Sequence, residues 1–450
     1  MDGQVGDEVG SVTWTKKVPV NREGDVLVIG GGISGVCAAC AAAADGARVI
    51  LVERFGVLGG NGTSGGVNGF CGETMGQGHI FDEIIAGLDQ FNAIAPYRSA
   101  RLLHLGARRF DHEILALILQ EICLRHGVVL LLHTRFVDVL CEKNALTHVI
   151  VAGKSGIEAI KAKMFVDCTG EADVVHAAGC ETMKGRASDG LQLPMSMMYF
   201  LRPAGWFRKA RLVPRGYFPW KPLVSAEELP MTSLGFHGFG GRSVKVKVPR
   251  FDATSTDSLT RAEVQARRKG MQVLDYYQHV KRKRWELDHF ASIIGIREGR
   301  RVVGEYVLTV DDLRAGKEFE DAVAVGSYPL DAHEPGDDKR TYILPKDQLG
   351  VPGYHIPLRS LIPRGMDNVL VAGRNLSADQ LAMSSARVMT TCAMMGTAAG
   401  IAATACIKKN MTPLQLATKD PGAVRTILAD KGAIFELAFY TPKQMEKNKS

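Results

Sequence analysis

Long runs of Lys and Arg are scarce in this chain. Outside one basic stretch, at 261–284, there is no cationic block, and a net charge of +7 is mild for 450 residues. That argues against a nucleic-acid partner. Cysteines are nine, odd in number and scattered, which argues against a disulfide scaffold and a zinc site. No metal is expected, and a reducing, cytoplasmic location is. The first 24 residues are polar and mixed in charge, without the apolar core of a secretion signal, so none is expected there. Strongly apolar runs are missing too, with one stretch to test. Val388 to Ile407 holds 20 uncharged residues and a Gly396-x-x-x-Gly400 spacing. Length and spacing suit a membrane span. The segment is mostly Ala, Thr, Met and Gly, however, and would partition poorly into lipid. A buried helix packed on a sheet is the expectation, with no membrane contact.

What is present starts at residue 25. Asp25 to Ile29 is a short Val/Leu/Ile run, the pattern of a strand buried on both faces. Gly30, Gly32 and Gly35 fill a G-x-G-x-x-G pattern, allowing a tight turn, close backbone approach to a phosphate and tight helix–strand packing. Val36 to Ala44 is a helix of small residues, whose N-terminus would aim free N–H groups at a pyrophosphate. A second strand, Arg48 to Val52, ends on Glu53, 18 residues past Gly35. An acid at about that distance accepts hydrogen bonds from a ribose. Strand, glycines, helix, strand and acid in register predict dinucleotide binding.

Further along, residues 56–66 are too rich in glycine for regular structure and suit close passage beside something flat or charged. Helices are predicted over 79–92 and from the N-cap Asp111 to His126, stopped by Gly127. Strands are predicted at 128–132, 136–140 and 163–168, with a hairpin of 147–152 and 157–162 between the last two. Composition changes near Gly190. Val244 to Val248 alternates Val and Lys, as an antiparallel strand with one wet face does. Thr260-x-x-Glu263 reads as a capping box opening a helix to about Trp285. Asn368 to Ala372 is a last buried strand before the long small-residue helix. The fold class is therefore α/β: a Rossmann-like dinucleotide-binding domain with a βαβ start and a parallel sheet, plus an inserted α+β substrate or cap domain. Expected limits are 25–190 and 361–410 for the two parts of the first domain, 190–360 for the insertion and 411–450 for an extension.

Four stretches carry a family resemblance: VIGGGISG with Glu53 and Gly59-Gly60, VDCTGEADV at 166–174, IGIREGRRVVGEYVLT at 294–309, and HIPLRSLIPRGMDNVLVAGRNLS at 355–377. With these, the chain resembles the FAD-dependent oxidoreductases of the glutathione-reductase-like, two-dinucleotide-fold type, and most closely the family running from a GGG-x-x-G start to a VAGR finish. The resemblance implies FAD as cofactor. It places Gly30, Gly32, Ile33, Ser34 and Gly35 at the pyrophosphate, Glu53 at the adenosine ribose and Arg54 along the adenine. Gly59, Gly60, Asn61 and Thr63 would run beside the ribityl chain and flavin. Val137 would offer backbone to the adenine, and Thr169, Gly170 and Asp173 would support the AMP half. Gly373 and Arg374 would meet the phosphate–ribityl side, while Val388 and Met389 would present N–H groups to the flavin N1–C2=O edge, where reduced flavin gathers negative charge. Two positions depart from the pattern: Arg374, where many relatives of the fold have Asp, and Gly299, where a small hydroxyl residue is expected.

For chemistry, His355 and His333 both precede the C-terminal strand, and either is a candidate base for a hydroxyl or amine proton or a structural histidine. Arg359, Arg297, Arg300 and Arg301 are candidate carboxylate clamps or scaffold partners of Glu298 and Glu305. Cys71 has no second cysteine at a disulfide-oxidoreductase spacing and is expected to line the site or core. No nicotinamide fingerprint appears within 190–360. The leading expectation is oxidation of a small polar substrate at a C–OH, C–N or C–C position, with the hydride going to flavin N5. The alternatives are a reductase of an activated alkene with an Arg proton donor, a flavoprotein acting on RNA, supported only by the basic stretch, and a binding module without turnover.

Overall fold

The computed structural model describes residues 10–98, 107–205, 209–237, 240–337 and 341–442; residues 443–450 of the expected extension lie outside them. Its centre is a five-stranded parallel sheet in the order Val369–Val371, Met164–Asp167, Val26–Ile29, Val49–Val52, Val129–Leu131. Val26–Ile29 and its two neighbours in the sheet are buried along their whole length, as continuous apolar runs demand of strands covered on both faces. Helix Ile33–Ala44 follows the glycine turn, and helix Met389–Lys409 lies against it.

The Gly396-x-x-x-Gly400 spacing serves that helix pair. A Cβ on Gly396 would stand 2.1 Å from the Ser34 carbonyl oxygen, and one on Gly400 2.2 Å from that of Ala38. Two backbones approach here more closely than any side chain permits. Met389–Lys409 is long and apolar enough to cross a membrane, yet 94% of its most apolar window is buried within this fold. Gly35 serves the same end on the other side of the helix, since its Cβ would meet the Gly30 carbonyl at 1.8 Å. Cys37 and Cys40 stand at C-x-x-C spacing inside the first helix; both are buried free thiols, as all nine cysteines are unpaired. Desolvation pushes the Cys37 thiol far up, away from the thiolate that redox exchange requires.

Helices His79–Gln90 and His112–Arg125 form as expected, the second with Asp111 accepting from the Glu113 and Ile114 N–H groups. The hairpin is Ala145–Gly153 with Gly156–Lys161, in a side sheet completed by Arg135–Glu142 and, in parallel, Val20–Glu23. A separate antiparallel sheet runs Met231–His237, Gly241–Val248, Met195–Pro203, Trp285–Phe290, with helix Thr256–Asp275 packed on it. Its apolar residues, from Met195 to Ile296, form a second core. Val302, Leu313, Val323, Tyr354 and Ile356 pack instead into the first core, so the stretch after about 300 folds back against the parallel sheet.

Two expectations here are corrected. Strand Gly241–Val248 has no wet face: Lys247 is fully buried, and its ammonium donates to the carbonyls of Glu334 and Asp337. The helix starts earlier than the box at Thr260, with Ser255 as N-cap. Glu263 accepts from the Ile294 N–H at 2.7 Å instead of closing a box. The helix also ends sooner, as a π turn at Tyr276–Val280, so Lys281 to Arg284 sit in a loop apart from Arg267, Arg268 and Lys269. The basic stretch 261–284 is thus divided between the helix and the loop that follows it.

Candidate active site

A cavity of about 440 Å³ opens at the C-terminal ends of the parallel strands, where open α/β sheets bind ligands. Each strand end delivers part of its lining. Gly30, Gly32, Ile33 and Ser34 come from the first turn, and Glu53 and Arg54 from the next strand. Gly59, Gly60 and Asn61 come from the glycine-rich loop. Val137, Thr169, Gly170 and Asp173 line the far end, and Gly373, Arg374 and Met389 the near one. Three expected residues fall outside it. Gly35 lies behind the turn as packing, Thr63 donates to the Leu58 carbonyl at 2.6 Å and braces the loop, and Val388 faces a second cavity.

The chain has shaped this space for a dinucleotide. Gly30 takes φ +102°, and a Cβ there would meet the Cys168 carbonyl at 2.4 Å. Gly32 has open space on its Cβ side, at the N-cap of the first helix, where a phosphate would meet free N–H groups. Glu53 is buried and accepts from the Gly31 and Phe55 N–H groups at 2.6 and 2.8 Å. Burial raises its pKa against those two bonds. Asp167, wholly buried, accepts from the N–H groups of Thr169, Val174 and Val175 and so holds the loop that carries Gly170 and Asp173. The Arg374 guanidinium pairs with Glu171 at 2.5 Å, yet its Nη1 is buried with no partner. An unmet buried donor on a cavity wall suits an oxygen-rich cofactor.

A second cavity, of about 410 Å³, adjoins the first, with Asn61, Ile296, Arg374, Arg387 and Met389 bordering both. Asn61 spans the gap between the glycine loop and the antiparallel sheet's unit, its Nδ2 donating to the Ile296 carbonyl at 2.9 Å. Val388, Cys71, Lys245, Arg297, Tyr328 and His333 line the second cavity with Asp331.

The FAD dependent oxidoreductase family model matches residues 25–428, most of the chain and all five strands of the parallel sheet. The chain belongs to that family. FAD is its cofactor, and the glycine turn, Glu53 and the two helix N-termini fit that group. No curated protein matches significantly. Among solved structures, it is similar to a geranylgeranyl bacteriochlorophyll reductase-like protein from Thermoplasma acidophilum at 12% identity and TM-score 0.48, covering 92% of this chain and 84% of that one. A similar likeness holds for OxyS anhydrotetracycline hydroxylase from Streptomyces rimosus, at 13% identity and TM-score 0.47, covering 93% and 68%. For the myxobacterial chondrochloren halogenase CndH the values are 13%, 0.46, 95% and 88%.

In this FAD-dependent oxidoreductase, two of the four candidate catalytic residues lie away from both cavities. His355 is buried with its Nδ1 accepting from the Phe319 N–H and its Nε2 donating to the Phe435 carbonyl at 2.9 Å, which spends both ring nitrogens on backbone. Arg359 pairs in bidentate fashion with the buried Asp321, both bonds at 3.0 Å, and lies over the Tyr306 ring. Both are scaffold. Arg301 is scaffold as well, paired with the buried Glu298, while Arg300 reaches the cofactor cavity and pairs with Asp173 at 3.3 Å.

His333 and Arg297 do line the second cavity. His333 is buried, its Nε2 lies 3.1 Å from Asp331, and its Nδ1 has no partner. Asp331 also accepts from Arg387 at 2.7 Å. Burial and the Arg297 charge hold His333 at about 3, neutral at ordinary pH. Asp331, with Arg387 and His333 beside it, stays ionised far below the usual range. Sequence reading missed Asp331, Arg387 and Lys245. For Asp331 a signal was there: it stands two residues before His333, so that an extended chain puts both on one face. Cys71 lines the cavity as expected, its thiol pKa raised by burial.

Proposed function

We propose that the enzyme oxidises a small polar organic substrate at a C–OH, C–N or C–C position in the second cavity, within the two-dinucleotide type of the fold. When bound, FAD supplies the two-electron acceptor at N5. The observation that carries this reading is His333, a neutral buried imidazole with one unmet nitrogen, in the lining of a cavity that adjoins the cofactor's. Asp331 holds the ring by Nε2, and Arg387 holds Asp331, so Nδ1 is left to take a hydroxyl or amine proton from substrate. Asp331 offsets part of the cost of the imidazolium that forms, which burial and the Arg297 charge disfavour. The antiparallel sheet roofs the cavity through Ser196, Met198 and Lys245 and would keep water from the reacting carbon. The domain interface thereby becomes the substrate site.

The test is anaerobic mixing of the yellow enzyme with a panel of alcohols, hydroxy acids and amines, following loss of flavin absorbance. With a reducing substrate in hand, His333→Gln is expected to slow flavin reduction by about 10²-fold. An unchanged rate refutes the role. Reduction of an activated alkene is a second reading, favoured by Lys245, which burial brings to about 8 and makes a competent proton donor. Reoxidation of pre-reduced enzyme by an enone, with no alcohol or amine bleaching the oxidised form, would select it.

A further inference from the structure

The second cavity is strongly cationic. Among the described residues, Arg109, Lys245, Arg297, Arg374 and Arg387 line it with one acid, Asp331, which pairs with Arg387. Arg374 is matched by Glu171. Arg297 is not matched. Its side chain is 7% exposed, and its Nη1 donates to two neutral acceptors, the Pro194 carbonyl and Ser196 Oγ, both at 2.6 Å. No carboxylate pairs with it among the described residues, and Nε and Nη2 have no hydrogen-bond partner there. A buried guanidinium facing only neutral oxygens is costly unless something brings the counter-charge. Burial lowers Arg297 to about 10, and burial with the Arg297 charge lowers Lys245 to about 8. The Arg297 shift goes with a buried guanidinium that only neutral oxygens meet among the described residues.

We propose that the substrate is a small organic acid whose carboxylate is held by Arg297 and Lys245. This rests on the second cavity being the substrate site. The free Nε–Nη2 edge of Arg297 is a planar fork, which fits the two coplanar oxygens of a carboxylate side-on better than a tetrahedral oxyanion. Lys245 rises from the antiparallel sheet as a point charge beside it. The carboxylate then anchors one end of the molecule, leaving the adjacent carbon and its hydroxyl or amine to His333 Nδ1. The acid is a hydroxy or amino acid, and the reaction removes hydrogen next to or near the carboxylate.

Acetate and its neutral isostere acetamide, titrated into the FAD-bound enzyme at fixed ionic strength, test this through the flavin difference spectrum. Acetate is expected to perturb the spectrum with a Kd at least about tenfold below that of acetamide. Arg297→Met and Lys245→Met should each weaken acetate by about tenfold or more while FAD content stays at one per chain. Should Arg297→Met fail to fold, Lys245→Met decides. Equal binding of acetate and acetamide, no binding of either, or tighter binding of inorganic phosphate than of acetate overturns the assignment. The readout is binding, not turnover, so the two proposals fail separately. Acids that bind but never bleach the flavin would sink the oxidation reading alone. Bleaching by neutral alcohols with no acetate binding would sink the carboxylate alone.

Discussion

Substituting Gly396 by Ala tests how the cofactor cavity is held open. The added Cβ would stand 2.1 Å from the Ser34 carbonyl oxygen, while real Cβ contacts stay beyond 3.0 Å. Helices Ile33–Ala44 and Met389–Lys409 must therefore part by roughly 0.9 Å, and neither atom belongs to a side chain that can swing away. Overpacking of this kind costs about 1–3 kcal/mol, and backbone against backbone belongs at the upper end. Spread over a chain of this length, about 3 kcal/mol lowers Tm by only about 3 °C. The cofactor should feel it more. The first helix's N-terminus would meet the pyrophosphate, and a shift of that size would stretch a hydrogen bond out of range, costing about tenfold in FAD affinity for each bond lost. Gly400→Ala makes the same demand against Ala38, at 2.2 Å, and one separation relieves both clashes. The double variant should then cost clearly less than the sum of the singles. Gly422→Ala is the control, since its Cβ meets nothing within 4 Å and its φ of −80° suits any residue. Differential scanning fluorimetry and FAD titration of the apoprotein give both numbers. If Gly396→Ala matches the wild type in Tm and FAD affinity, or if the two substitutions add in full, the close-packed helix pair is not what holds the site.

Three further outcomes are expected. Glu53→Gln keeps one of the two N–H acceptors at the strand end but loses the charge, so FAD affinity measured by apoprotein titration should fall by about tenfold or more with the fold intact. His333, held near 3 when folded and free to titrate at 6.5 when unfolded, binds its proton more weakly in the native state; its stabilising contribution is whole above 6.5 and lost as pH falls towards 3. Urea titrations of wild type and His333→Gln between those limits should differ in slope by up to one proton, about 1.4 kcal/mol per pH unit, and parallel curves would contradict the buried neutral ring. Arg359→Met should leave the substrate requirement unchanged in steady-state kinetics yet lower stability by about 2 kcal/mol or more, because Asp321 keeps its buried charge without a charged partner.

The features legible in the sequence are those whose cause is local. The strand–glycine–helix–strand start names its own turn, its packing glycine and its terminal acid within 29 residues, and Asp111 caps the helix it adjoins. The run at 388–407 is legible as a buried helix because composition opposes the membrane that its length permits. Chemistry at long range is not legible in that way. His355 and Arg359 stand in a motif close to the flavin strand, but nearness in sequence says nothing of Phe435 and Asp321, which claim them from 80 and 38 residues away. Lys247 and Lys245 alternate with valines as on a wetted strand, and only the unit folding over the first domain turns that face into an interior.

The two departures from the family pattern illustrate the same limit from the other side. Gly299 and Arg374 read as independent oddities, 75 positions apart. In the fold they are parts of one arrangement. A Cβ on Gly299 would stand 2.6 Å from Glu171 Cγ, so the missing side chain is what lets Glu171 lie where it does. Glu171 then pairs with Arg374, and the guanidinium occupies the space over Gly170, where a Cβ would meet it at 2.3 Å. A cation at 374 needs an acid beside it, the acid needs room at 299, and the cation needs room at 170. Returning a hydroxyl residue at 299 would push Glu171 aside and leave Arg374 unpaired on the cavity wall. The coupled choice puts a donor side chain, with Arg374 Nη1 unpartnered, at the border of the two cavities where a carboxylate would have offered only acceptors.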